Sequence, residues 1–102
     1  MASQRLRDRT MDFAVRIIRF IKTFSHSFED AIIAKQLVRS ATSIASNYRA
    51  ACRSRSKAEY FSKICIVVEE SDETLFWLEL LMKSGMIKDQ NVEELHEEAT
   101  EL

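Results

Sequence analysis

Proline is absent from the 102 residues, and Gly85 is the single glycine. Hairpin turns, bulges and flexible linkers therefore lack their usual residues, and the chain reads as helices joined by short connections. Cysteine is scarce: Cys52 and Cys65 sit inside apolar helical patterns rather than in a Cys-x-x-Cys pair. That spacing argues for two small inward-facing thiols in a reduced setting, not for a disulfide framework. No apolar run approaches the roughly 20 residues of a membrane span. Met1 to Arg9 has no apolar stretch following its basic residues, which removes the secretory reading and makes the cytoplasm the expected location. There is no glycine-rich phosphate loop, no nucleophile elbow, and no Cys and His pair at chelating spacing. The expectation is a protein that is not an enzyme, with no cofactor and no small-molecule substrate evident.

What is present is 46% hydrophobic and 30% charged residues, in a length that suits one domain over residues 1–102. A domain of this size buries about two thirds of its unfolded surface, so association with copies of itself is a natural source of added stability. The net charge of -1 hides a division. Met1 to Lys57 carry twelve Lys or Arg against four Asp or Glu, a balance of +8, whereas Ala58 to Leu102 carry three against twelve, a balance of -9. The halves can pair with each other, or the basic half can face an anionic partner.

Periodicity predicts four helices, about 8–24, 28–53, 57–84 and 91–102. The first places Phe13, Ala14, Ile17, Phe20, Ile21 and Phe24 on one face, opposite Asp12, Arg16 and Arg19. Ser27 with Asp30 three residues on can cap the second. That helix aligns Ile33, Leu37, Ile44, Tyr48 and Ala51, while Ala34, Ala41 and Ala45 allow a neighbour to approach. Ser56 and Glu59 form a capping box for the third helix, which extends on the order of 40 Å and ends at Gly85. On it, Phe61, Ile64, Val68, Leu75 and Met82 are the expected core face. Ile66, Trp77 and Leu80 project to nearly the opposite side among Glu59, Glu70 and Glu73, so two sides require burial. The last helix has an Asn91 and Glu94 capping pair, with Val92, Leu95, Ala99 and Leu102 inward. The expected fold is all-α: an antiparallel up-and-down four-helix bundle with a long third helix.

Two surfaces and one chemical motif stand out. Lys35, Arg39, Arg49 and Arg53 share the outer side of the second helix, and Arg55 and Lys57 extend the basic run beside the start of the third. This is either a solvated or ion-paired face or a nucleic-acid contact, where cations and helix-terminal N–H groups would meet phosphate. The second side of helix three reads as a subunit interface. Glu93-x-x-His96 has the spacing of a di-iron ligand pair, and Glu69, Glu70, Asp72 and Glu73 gather carboxylates. A di-iron bundle needs two Glu-x-x-His pairs, however, and the other histidine, His26, lies in a turn, so no metal site is expected.

Three linked segments carry a family resemblance: Gln36-Leu37-Val38-Arg39-Ser40-Ala41-Thr42-Ser43-Ile44-Ala45-Ser46-Asn47-Tyr48-Arg49-Ala50-Ala51, then Ser56-Lys57-Ala58-Glu59-Tyr60-Phe61-Ser62-Lys63, then Glu69-Glu70-Ser71-Asp72-Glu73-Thr74-Leu75-Phe76-Trp77-Leu78-Glu79-Leu80-Leu81. Over about Phe13 to Ser84 the chain resembles the bacterial four-helix-bundle proteins named after intervening sequences of large-subunit ribosomal RNA genes. The resemblance implies a left-handed bundle assembled as a ring, typically a homopentamer, with no known catalytic activity. A related branch, the accessory variability determinant of diversity-generating retroelements, binds reverse transcriptase and structured RNA, which makes RNA or DNA a partner class. Within the matched motifs, Arg39 and Asn47 are expected to meet helix-three carboxylates such as Asp72 and Glu73 across a subunit or helix interface. The interface set is Arg39, Asn47, Ile66, Glu70, Glu73, Trp77 and Leu80. The expected function is a homo-oligomeric scaffold or adaptor, with a nucleic-acid-binding accessory protein as the alternative.

Overall fold

The computed structural model describes residues 4–85 and 90–101, within which the chain forms four α-helices: α1 Gln4–Ile21, α2 Phe28–Cys52, α3 Lys57–Ser84 and α4 Gln90–Glu101. Short connections turn each helix back on its predecessor. α1 packs on α2 and α4, and α3 packs on the same two, leaving α1 and α3 at opposite corners. This is the expected all-α four-helix bundle, about 44 × 22 × 20 Å.

Local chemistry sets the helix ends. Ser27 Oγ accepts from the Asp30 N–H at 3.2 Å, and the Asp30 carboxylate turns back to accept from the Ser25 N–H and hydroxyl at 3.2 and 2.6 Å. Ser56 Oγ likewise accepts from the Glu59 N–H at 3.0 Å, although the Glu59 carboxylate makes no return bond among the described residues. Gly85 closes α3 at φ 71°, a left-handed conformation in which a Cβ would clash. α1 begins four residues before the expected Asp8, where Gln4 Nε2 donates to Asp8 Oδ1 at 3.0 Å. It ends at Ile21 because Thr23 and Phe24 donate to carbonyls only three residues back. Phe24 still folds inward, its ring edge-on to Phe20 at 5.1 Å. α4 begins at Gln90, one residue before the expected cap Asn91. The Asn91 side chain and Leu102 lie outside the described residues.

The core joins Phe13, Ile17 and Phe20 of α1, Ile33, Leu37, Ala41, Ile44 and Tyr48 of α2, and Val92, Leu95 and Ala99 of α4. These are the predicted inward residues. α3 differs: it buries Val67, Thr74, Leu78 and Leu81, holds Ile64 and Leu75 partly buried, and turns Phe61, Val68 and Met82 outward. The expected core face of α3 is therefore corrected by about one residue, or ~100° of helix rotation. The physical reason is that α3 is apolar on several sides, so periodicity alone does not select which stripe enters the core. Burying Thr74 is tolerated because its Oγ1 lies 2.8 Å from both Ser40 Oγ and the Glu70 carbonyl oxygen.

Candidate interaction surfaces

Arg39 sits on the α3-facing side of α2, and its guanidinium reaches across the seam. Nη1 donates to Glu70 at 3.3 Å, Nη2 donates to Glu73, and Nε donates to the side chain of Gln36 at 3.3 Å. The Arg39 hydrogen bond holds the Glu73 carboxyl below its ordinary range, and Arg39 is pushed up in return. Trp77 lies one turn beyond, with Nε1 3.5 Å from Glu73 and its ring edge-on to Phe76 at 5.0 Å, partly buried against the core. Arg39 thus meets the expected carboxylates within one chain. Asn47 does not: its amide donates to the Ser43 carbonyl and hydroxyl at 2.9 and 3.0 Å, because a short side chain on a helix reaches its own preceding turn first. Asp72 is exposed and away from this network, Ile66 is half-buried, and Leu80 is 37% exposed.

The larger apolar exposures lie elsewhere. On α3, Phe61, Val68 and Phe76 are 69, 62 and 55% exposed, and with half-buried Cys65 and exposed Asp72 they trace an outward stripe at steps of three and four. α4, about 18 Å long against about 42 Å for α3, leaves the N-terminal part of this side uncovered. On α1, Met11, Val15 and Ile18 form a second outward stripe. Sequence reasoning missed both, although their spacing was present.

The six basic residues divide. Arg39 is occupied by α3, and Lys35 stands roughly 20 Å along α2 from Arg49. Arg49 and Arg53 line two adjoining clefts, one completed by Arg7, Asp8, Met11 and Ala45, the other by Ser46, Ala50, Arg55 and Glu59. Lys57 is exposed at the start of α3. The part played by Arg7 is invisible in local sequence because it is supplied by a different helix. No ion pair engages Arg49, Arg53, Arg55 or Lys57 among the described residues.

The fourth helix is tied by Arg9, which donates to Glu98 twice at 2.8 Å and to Glu101 at 2.6 Å. These bonds raise Arg9 and, chiefly through the Arg9 hydrogen bond, hold Glu98 below the usual carboxylate range. His96 Nε2 lies 3.3 Å from Glu79 Oε2 across α3 and α4. Among the described residues, no three His, Cys, Asp or Glu side chains come together in a way that could hold a metal ion, and no helix is long and apolar enough to cross a membrane. Cys52 and Cys65 are free thiols.

Fold and surface together define an up-and-down four-helix bundle with outward apolar stripes and clustered charge. Residues 3–102 match the family described as 23S rRNA-intervening sequence protein, and the chain belongs to that family. It is similar to the crystal structure of a protein with unknown function from the S23 ribosomal protein family of Bacteroides thetaiotaomicron VPI-5482. That likeness is 34% identical with a TM-score of 0.89, covering 99% of this chain and 90% of the other. No curated protein matches the chain.

Proposed function

We propose that the chain is a non-enzymatic scaffold or adaptor that assembles copies of itself into a cytoplasmic homo-oligomeric ring. The observation that carries this reading is the pair of outward apolar stripes, Met11, Val15 and Ile18 on α1 and Phe61, Val68 and Phe76 on α3, on helices at opposite corners. Two different patches facing away from each other suit head-to-tail contacts better than a twofold dimer that uses one patch twice, and such contacts close into a ring when the rotation between copies closes and run on as a filament when it does not. The family resemblance favours five copies. Sedimentation equilibrium tests the reading: a mass at a fixed multiple of 11.9 kDa is expected. A monomer at every concentration would sink it.

A second reading is a nucleic-acid-binding accessory protein, akin to the retroelement branch. It is favoured by Arg49, Arg53 and Arg55, which line adjoining clefts and whose side chains have no ion-pair partner among the described residues. Binding of RNA or DNA should then weaken steeply with salt and vanish on charge reversal at these three positions. Salt-independent binding, or binding that survives the reversal, counts against it.

A further inference from the structure

In the folded bundle the charge division along the chain becomes a division between flanks. α1 and α2 are net basic, at +3 and +1, with Lys22, Arg53 and Arg55 added by the connections, and α3 and α4 are net acidic, at -3 and -5, so the α1–α2 side and the α3–α4 side of the bundle are opposite flanks of opposite sign. Where a basic helix abuts an acidic one, the ion pairs are made internally: Arg9 with Glu98 and Glu101 at the α1–α4 seam, and Arg39 with Glu70 and Glu73 at the α2–α3 seam. Among the described residues the flank charges make no such ion pair, apart from Glu79, which lies 3.3 Å from His96. On one, the α1 stripe runs beside exposed Lys22, Lys35, Arg49 and Arg53, with Asp8 and Asp12 as exceptions. Met11, Arg49 and Arg53 line a common cleft there. On the other, Val68 and Phe76 run beside exposed Glu69, Asp72, Glu79 and Glu97, with Lys57 and Lys83 as exceptions.

We infer that the basic α1–α2 flank of one copy docks on the acidic α3–α4 flank of the next, apolar stripe against apolar stripe. This deepens the ring reading and rests on it. The seams already show the pairing in one chain, and between chains it would bring together the charges and stripes that the fold leaves unmatched. Like flanks repel, which disfavours twofold pairing and makes the contact directional. A flank of about 44 × 22 Å can supply the ~800 Å² per partner of a standard stable interface. The bound partner is a second copy of this chain.

Two charge-reversal sets test the inference, with mass read by sedimentation and helicity by circular dichroism. One set is Lys22→Glu, Lys35→Glu and Arg49→Glu; the other is Glu69→Lys, Asp72→Lys and Glu97→Lys. All six positions are exposed. Each set alone should weaken assembly by about tenfold or more while leaving helicity intact, and both sets in one chain should restore the wild-type mass. If the wild-type chain assembles but either set leaves the mass unchanged, this interface is wrong and the ring reading survives. A doubly reversed chain that stays helical and dissociated also overturns it. So does a basic set that leaves the mass intact yet abolishes binding of a fluorescent single-stranded RNA, which would assign that flank to nucleic acid. A monomeric wild-type chain overturns both readings.

Discussion

α3 is held on its two sides by different means. On the α2 side two helices of 25 and 28 residues share a long seam, with Leu37, Ala41, Ile44, Leu78 and Leu81 each 0% exposed and the Ser40 and Thr74 hydroxyls paired inside it. On the other side α4 has 12 residues, buries Val92, Leu95 and Ala99, and is fastened by Arg9 to Glu98 and Glu101 and by His96 to Glu79. Isolated helices of ~12 residues are marginal in water, so α4 persists only while docked. The contrast teaches that the α2–α3 pair is the cooperative unit, and that α4 opens at lower free energy than the whole.

The largest effect that would break this comparison is a cavity in the seam. Leu78→Ala should lower global stability by about 2–5 kcal/mol, read as a shifted denaturant midpoint with one transition and unchanged slope. Leu95→Ala removes the same atoms from an equally buried site, yet it should shift the global midpoint less. The expected signature is faster amide exchange across α4 with protection retained in α2 and α3. Equal midpoint shifts for the two variants would place α4 inside the cooperative unit. Ser56→Ala is smaller still, about 1 kcal/mol, because it removes the acceptor for the Glu59 N–H at the start of α3. It should leave α4 exchange unaffected beyond that global loss.

Much of this division is legible in the sequence. Ser27, Ser56 and Gly85 are local signals, and they placed the ends of α2 and α3 within a residue. α1 was legible in register because its apolar residues form one stripe against charged neighbours. α3 was not: with Phe61, Val68 and Phe76 on one side and Val67, Leu78 and Leu81 on another, each stripe alone satisfies a helical period. A buried Thr74 gives no apolar signal at all, and its burial depends on Ser40 thirty-four residues away. Among the interaction residues, Arg39 stands out by its place in the motifs that carry the family resemblance, and its need for carboxylates follows from its charge. The choice of Asn47 for Ser43 was not readable, since both outcomes suit an amide on a helix. The grouping of Arg7 with Arg49 and Arg53 is a product of packing between α1 and α2.

Acid gives the smallest and most selective test of the difference between the two sides of α3. Glu98 is held below its ordinary value of 4.5 in the fold, mainly by the Arg9 hydrogen bond. A depressed folded-state value means that the tie stabilises fully above the unfolded value and is lost as pH falls through the folded one. Glu73 is depressed in the same sense by Arg39, but at the α2–α3 seam the buried core persists when the ion pair is lost. Acidification from neutral pH to below about 4.5 should therefore lower the amide protection of α4, taken relative to the intrinsic exchange rate at each pH, well before it lowers that of α2 and α3. In Glu98→Gln the tie is already weakened at neutral pH, so α4 should exchange faster there and change less on acidification. If α4 in that variant responds to acid as strongly as in the wild-type chain, Arg9 and Glu98 do not set its docking, and the burial of Val92, Leu95 and Ala99 accounts for it alone.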